Sequence, residues 1–83
     1  MRSDGTYNGG TTMDGFAERL QKLRIERKLV RARQTVAGLC GLPPDAIRRY
    51  ERGEAKPTMD ALIRIADYYE VSLDYLVGRV PYR

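Results

Sequence analysis

One short segment, residues 41–57, limits what the whole chain can become. It reads GLPPDAIRRYERGEAKP, so prolines and glycines stand at both ends of a helix-length stretch. Pro44 suits the first position of a helix, where the missing N–H has no intrahelical partner to lose. Gly53 suits a left-handed residue that ends a helix. The segment therefore predicts one short helix over residues 44–52, preceded by a turn.

This predicted helix has two unlike sides. Ile47 and Tyr50 are three residues apart and share one face, which we expect to be buried. The remaining faces carry Asp45, Arg48, Arg49 and Arg52. A short helix with an apolar inner stripe and an arginine-bearing outer side has the shape and charge needed to enter the major groove of DNA.

Two further helices are predicted before this segment. The first spans residues 14–28, with Asp14 as its N-cap, and its spacing gives a core stripe of Phe16, Leu20 and Leu23. The second spans residues 33–40, with its inward side made by Val36, Ala37, Leu39 and Cys40. Between them, Leu29 and Val30 are expected to plug the edge of the core. Gly38 suggests a close helix approach, because glycine inside a helix costs about 1 kcal/mol relative to alanine.

Two more helices follow the segment. Thr58 is the expected N-cap of a helix over residues 58–70, whose apolar face holds Met59, Leu62, Ile63, Ile65, Ala66 and Tyr69. Ser72 caps a last helix over residues 73–77, and Gly78 ends it. No alternating strand pattern occurs, so the fold class is all-α with five short helices in one domain.

The positive charge is concentrated in one third of the chain. Residues 16–42 carry a net charge of +5 from seven basic and two acidic residues, whereas residues 43–83 are neutral, within a total of +4. This distribution suits a polyanion such as DNA. The alternative is a solvated helix face, in which Arg24 and Arg27 contact only water.

The chain has no histidine and a single cysteine, Cys40. These counts remove the commonest general base and the commonest metal ligands, so we expect no enzyme activity, no metal and no cofactor. Cys40 is expected to be a small buried side chain. There is no secretory signal and no run of ~18 apolar residues, so the expected location is cytoplasmic, with no membrane contact.

Several stretches together resemble the phage repressor and Cro-type (Xre-like) helix-turn-helix family. They are FAERLQKLR from Phe16, Val36-Ala37, Gly41-Leu42 with IRRYERGEAKP up to Pro57, LIRIA from Leu62, and VSLDYLVG ending at Gly78. The resemblance covers about residues 16–79. It implies a compact five-helix repressor-type domain over 14–79, between a disordered tail at 1–13 and a C-terminal tail at 80–83.

The resemblance also implies roles for single residues. The helix over 33–40 would lie across the DNA backbone while the helix over 44–52 enters the major groove. The base-reading positions are Pro44, Asp45 and Arg49. The backbone-contacting candidates are Arg31, Arg33, Arg48, Arg52 and Lys56. The residues expected to hold the motif together are Ala37, Gly41, Ile47, Tyr50 and Leu62.

The sequence departs from the family pattern in three places. The connection around residues 29–32 is about two residues longer, which adds a basic bulge at Arg31. Asp45 puts a negative charge at the groove, which a hydrogen-bond donor on a base has to satisfy because the charge otherwise repels phosphate. Ala32 and Pro43 replace the usual helix caps, and each lost cap costs around 1 kcal/mol.

The expected function is sequence-specific binding of double-stranded DNA by a transcriptional regulator, a repressor that acts as a dimer on a two-fold operator. The alternative is a protein-interaction module on the same fold, such as an antitoxin, an anti-repressor or an adaptor. A protein that controls activity is a further candidate partner. The C-terminal tyrosines are either ordinary half-buried aromatics or part of a dimer interface; these are Tyr68, Tyr69, Tyr75 and Tyr82.

Overall fold

The computed structural model describes residues 15–83, which form five α-helices and no β-strand. The predicted tail at 1–13 and the predicted cap Asp14 lie outside the described residues. The helices are α1 (Phe16–Glu26), α2 (Arg33–Leu39), α3 (Ala46–Glu51), α4 (Met59–Tyr69) and α5 (Leu73–Leu76). The all-α prediction is confirmed.

Each of the five helices contributes one fully buried aliphatic side chain to a single core. These side chains have no exposed surface, and they are Leu20, Val36, Ile47, Ile65 and Leu76. Burying each one stabilises the fold by roughly 1.5–3 kcal/mol relative to an exposed position. Because every helix contributes a residue to this core, detaching any one of the five helices would expose core side chains to water.

Helix α3 begins two residues later than the sequence predicted. The N–H of Ala46 donates to the carbonyl of Pro43 at 3.0 Å, and Asp45 has φ −95° and ψ 2°. These are the features of a type I turn with Pro44 at its second position, which proline favours. The prediction of Pro44 as a first helical residue is therefore wrong, because the turn uses it instead.

The caps of the last two helices are confirmed. The Thr58 hydroxyl accepts a hydrogen bond from the Ala61 N–H at 3.1 Å. The Ser72 hydroxyl does the same for Tyr75 at 3.0 Å. Each such bond satisfies an N–H that has no partner within the helix. At the other end, Gly53 follows α3 with φ +72°, as predicted.

Several inward assignments are wrong. Leu29 is 98% exposed, so only Val30 packs at the core edge. Leu39 is 57% exposed. The buried side of α2 is the arc that holds Val36, Ala37 and Cys40, and Leu39 lies roughly 100° around the helix from the middle of that arc. No atom lies within 4 Å of a side-chain position at Gly38, so there is no close helix approach there. On α4 the exposed members of the expected apolar face are Met59 and Ile63.

The C-terminal segment folds back onto α1. The guanidinium of Arg19 donates to the carbonyls of Tyr75 and Val80, and Arg83 donates to both carboxylate oxygens of Glu26 at 2.7 Å. Val80 packs against the core. Thus residues in the predicted tail at 80–83 contact the first helix.

The tyrosines of this half divide between core and surface. Tyr69 and Tyr75 are 3% and 4% exposed, and both belong to the core. Tyr68 is half-buried and Tyr82 is exposed. Tyr69 and Tyr75 are therefore aromatic residues of the fold itself, which was one of the two alternatives, the other being a dimer interface. Over residues 15–83, no helix has the length and apolar character needed to cross a membrane.

Candidate nucleic-acid interface

A tight turn sets the position of α3 relative to α2. The N–H of Leu42 donates to the carbonyl of Ala37 at 2.8 Å, and that of Gly41 donates to the carbonyl of Gly38 at 3.1 Å. Gly41 has φ +75°, and a side-chain carbon there would lie 2.5 Å from the Arg64 guanidinium. The positive φ is the reason for glycine here, since the nearby guanidinium is the end of a flexible, exposed side chain that can move aside. The residues between the turn and α3, which are Pro43, Pro44 and Asp45, are exposed to solvent.

A buried ion pair fixes the other end of α3. Arg24 of α1 donates to both carboxylate oxygens of Glu51, at 2.6 and 2.9 Å. The two side chains are 10% and 3% exposed. The hydrogen bond to Glu51 raises the pKa of Arg24. Arg24 also donates to the carbonyl of Arg31 at 2.9 Å, which ties down the connection between α1 and α2.

Sequence reasoning missed this pair, although a signal existed. Arg24 follows the buried Leu20 by four residues, and Glu51 follows the buried Ile47 by four. Residues four apart share a helix face. Two opposite charges, each placed where a buried stripe continues, indicate a buried ion pair between the two helices. The solvated alternative is therefore wrong for Arg24.

Arg33 shares the same carboxylate. Its Nε donates to Glu51 Oε1 at 3.2 Å, and its side chain is 45% exposed. Its two Nη nitrogens have no hydrogen-bond partner among residues 15–83. Glu51 thus holds the guanidinium of Arg33 at the start of α2 while leaving donors for a further anion.

The predicted base-reading residues lie together at the start and along the outer side of α3. Pro44, Asp45 and Arg49 are all exposed. The Asp45 side chain makes no capping hydrogen bond, although its backbone carbonyl accepts from the Arg49 N–H at 3.0 Å. Arg49 has no ion-pair partner in the described part of the chain. Its charge is therefore available to a ligand.

The other residues predicted to contact the DNA backbone fall into two groups, those that pair with a carboxylate of the protein and those that do not. Arg52 pairs with Glu54 at 2.9 Å, and Arg48 approaches the same carboxylate at 3.9 Å. These pairs are exposed and worth little. Arg31 and Lys56 are exposed, with no carboxylate within 4.0 Å among residues 15–83.

Four of the five residues expected to hold the motif together lie beneath this surface, and the fifth, Gly41, is exposed in the turn. Ala37 and Ile47 have no exposed surface, and Leu62 is 6% exposed. Tyr50 is half-buried, with its ring centroid 6.0 Å from that of Phe16.

Across the described residues there is no cluster of side chains that could hold a metal ion. Burial raises the pKa of the Cys40 thiol, which makes it an unreactive core group.

Comparison with known proteins finds several that are similar to this chain. A family model described as helix-turn-helix matches residues 20–76. The cryptic phage CTXphi transcriptional repressor RstR of Vibrio cholerae is 38% identical over 60 residues, covering 71% of this chain and 54% of that protein. The uncharacterized HTH-type transcriptional regulator YqaE of Bacillus subtilis is 39% identical over 62 residues, covering 75% and 52%. The chain thus spans about half the length of these curated relatives.

Two solved structures are similar over the same region. The P22 c2 repressor protein in complex with synthetic operator 9T superposes with a TM-score of 0.70 at 25% identity, covering 78% of this chain and 96% of that one. A transcriptional regulator from Listeria innocua gives a TM-score of 0.67 at 38% identity, covering 78% and 59%.

Proposed function

The chain belongs to this helix-turn-helix family, and we propose that it is a transcriptional regulator that binds double-stranded DNA sequence-specifically, as a repressor that acts as a homodimer on a two-fold operator. The observation that carries the proposal is the arrangement of α3. On its inner side the side chains of Ile47 and Glu51 are buried. On its outer side Arg49 is exposed and has no ion-pair partner among the described residues. A relative named as a phage transcriptional repressor and a neighbour solved with its operator support the same function.

In this proposal α3 enters the major groove and its exposed residues read base edges. Arg49 suits the O6 and N7 acceptors of guanine, a contact worth about 1–3 kcal/mol of discrimination. Asp45 has only acceptors, so its partner is the amino group of cytosine or adenine. Pro44 offers an apolar contact, for example to a thymine methyl group.

The surrounding cations contact the phosphates. Arg33 at the start of α2 is the main candidate, because Glu51 holds its Nε and its other donors are available. Arg31 and Lys56 act as additional positive charges, and Arg48 and Arg52 exchange their exposed contact with Glu54 for phosphate. These contacts set affinity rather than sequence preference.

Repression is proposed to be steric. A dimer occupies two half-sites about one helical turn apart and thereby blocks polymerase. The regulator acts in the cytoplasm, without catalysis and without a cofactor. The alternative, a protein-interaction module on the same fold, predicts no preferred duplex sequence at all.

Selection of bound duplexes from a random pool tests the proposal. We expect an enriched two-fold motif whose half-sites are centred 10–10.5 base pairs apart. Affinity for the selected duplex should fall steeply with salt, and the complex should contain two copies of the chain by sedimentation. Failure to enrich any motif, or affinity that does not change with salt, would refute the proposal.

A further inference from the structure

A pocket lies where the end of α1, the connection to α2 and the end of α4 meet, and none of its lining residues belongs to α3. Its volume is about 310 Å³, and its lining consists of Glu26, Arg27, Lys28, Leu29, Val30 and Tyr68. This volume is at the small end of ligand sites, which span ~300–1,000 Å³. It suits a single anchoring side chain.

The apolar lining is held in place by the core. Val30 and Tyr68 are half-buried and pack against the core cluster. The Tyr68 ring meets the buried Tyr69 ring edge-on, with centroids 4.8 Å apart. The Arg27 guanidinium lies over both rings, at 5.6 and 5.2 Å from their centroids. These contacts give the pocket a formed floor and one cationic wall.

Leu29 stands beside this floor with 98% of its surface exposed, more than any other large apolar side chain among residues 15–83. The backbone on either side of Leu29 is held by hydrogen bonds. Arg27 N–H donates to the carbonyl of Arg24 at 3.3 Å, and Arg24 donates to the carbonyl of Arg31 at 2.9 Å. The fold therefore displays Leu29 to solvent at a fixed place. This connection is also where the chain is about two residues longer than its family pattern.

The charges around the pocket have one sign. The single lining acid, Glu26, is neutralised by Arg83, which reaches both of its oxygens at 2.7 Å. Two lining cations, Arg27 and Lys28, have no carboxylate within 4.0 Å among the residues that the structure describes, and neither has Arg31, which follows the lining residue Val30 in the chain. The surface is thus apolar at its centre and positive at its rim.

We propose that this pocket binds a segment of a partner protein in which one apolar side chain is flanked by Asp and Glu residues. The apolar side chain fills the pocket against Leu29, Val30 and Tyr68. The acidic neighbours pair with the cationic rim. Such an anchor with a charged surround is the usual layout of a peptide-binding hot spot.

Two other occupants fit less well. A second copy of the chain would bring the same three cations against this rim, and like charges in close contact are unfavourable. A nucleic-acid backbone would neutralise the cations but would leave Leu29 and the apolar floor exposed, since phosphates offer no apolar group. The acidic, apolar segment is the occupant that satisfies both features.

The test is to select peptides from a phage-displayed library of random 12-residue sequences against the full chain, without DNA. We expect enriched peptides that combine an aromatic or aliphatic residue with neighbouring Asp or Glu. A fluorescently labelled enriched peptide should bind at least about tenfold more weakly to Leu29→Ser, because the leucine contact is lost. Leu39→Ser, which changes another exposed leucine on α2, is the matched control and should bind normally.

Removing charge gives a second readout. Lys28→Ala should weaken binding of the labelled peptide and flatten its salt dependence, because Lys28 lines the pocket, and replacing the peptide acids by amides should do the same. The proposal fails if no enriched peptide depends on Leu29 or if the amide peptide binds equally well. It also fails if Leu29→Ser abolishes self-association or weakens duplex binding as strongly as Arg33→Ala does. Because the peptide assay contains no DNA, its outcome is independent of the operator-binding proposal.

Discussion

Arg24 and Glu51 form a two-point ion pair that fastens the first helix to the last residue of the proposed recognition helix. The nitrogen–oxygen distances are 2.6 and 2.9 Å, and the carboxylate is 3% exposed. The same carboxylate receives Arg33 at 3.2 Å. One buried charge therefore links α1, α2 and α3, and under the proposed function it also orients the Arg33 side chain towards a phosphate.

Glu51→Ala should lower the free energy of unfolding by about 3–5 kcal/mol, because it leaves the Arg24 charge buried without its partner. Urea unfolding followed by circular dichroism measures the change. Glu54→Ala is the matched control: it removes a half-exposed carboxylate whose pairs with Arg48 and Arg52 contribute less than about 1 kcal/mol. Replacing Arg24 by Met and Glu51 by Leu together should recover much of the loss. A loss for Glu51→Ala no larger than that of the control would contradict this account.

The two glycines of the α2–α3 region should respond to alanine in opposite directions. Gly41→Ala should destabilise by roughly 1–3 kcal/mol, because φ +75° is strained for alanine. Gly38→Ala should stabilise by about 0.4–1 kcal/mol, since the site is helical and open. Thermal unfolding measures both. Equal effects of the two substitutions would show that the turn geometry does not matter.

Tyr69→Phe should stabilise the protein by about 1 kcal/mol at neutral pH. The Tyr69 hydroxyl is buried with no hydrogen-bond partner among residues 15–83, and such a group carries a desolvation cost. Burial also raises the pKa of Tyr69 above its ordinary value of 10.0. The protonated form is therefore favoured in the folded state, and stability is lost as pH rises above 10, where the unfolded chain ionises.

The free energy of unfolding of Tyr69→Phe should consequently exceed that of the parent by an amount that grows by about 1 kcal/mol per pH unit above 10. Unfolding in urea at pH 7, 10 and 11 measures it. The control is Tyr82→Phe, which changes a tyrosine that is 71% exposed. A constant difference between Tyr69→Phe and the parent across these pH values would rule out the buried phenol as the cause.

The parts of the fold that follow from local chemistry were predictable. Thr58 and Ser72 were identified as caps because a hydroxyl before an apolar stripe satisfies a free N–H, and both bonds are present. The five helices, the all-α class and the family resemblance were likewise predicted and are confirmed. Each helix depends on residues within one or two turns of one another, whereas the resemblance depends on several motifs along residues 16–79.

The parts that depend on distant contacts were not predictable in the same way. Local spacing does not pair Arg24 with a carboxylate, because its partner lies 27 residues later in the sequence. Leu29 was placed at the core edge by its apolar character alone, but only one of two adjacent residues can reach the core there, and Val30 takes that place. The start of α3 was misplaced because proline suits both the first helical position and the second position of a type I turn.

Arg33→Ala should weaken binding to every duplex alike and make the slope of log affinity against log salt shallower by about one, as expected for the loss of one phosphate contact. The enriched operator and a scrambled duplex, titrated at several salt concentrations, provide the measurement. Arg79→Ala removes the same charge at an exposed position far along the chain and is the matched control. A change in base preference with an unchanged salt slope would mean that Arg33 reads bases instead of gripping phosphate.

Arg49→Ala should instead relax sequence preference. Arg49 is exposed on α3, its backbone is fixed by its N–H bond to Asp45 at 3.0 Å, and no carboxylate among the described residues pairs with it. Loss of a two-point contact to guanine should cost about 1–3 kcal/mol on the enriched operator and little on a duplex substituted at that base pair. Repeating the duplex selection with the variant should yield a motif degenerate at one position in each half-site. If the motif is unchanged while affinity falls equally for all duplexes, Arg49 contacts the backbone and specificity must come from Asp45 and Pro44.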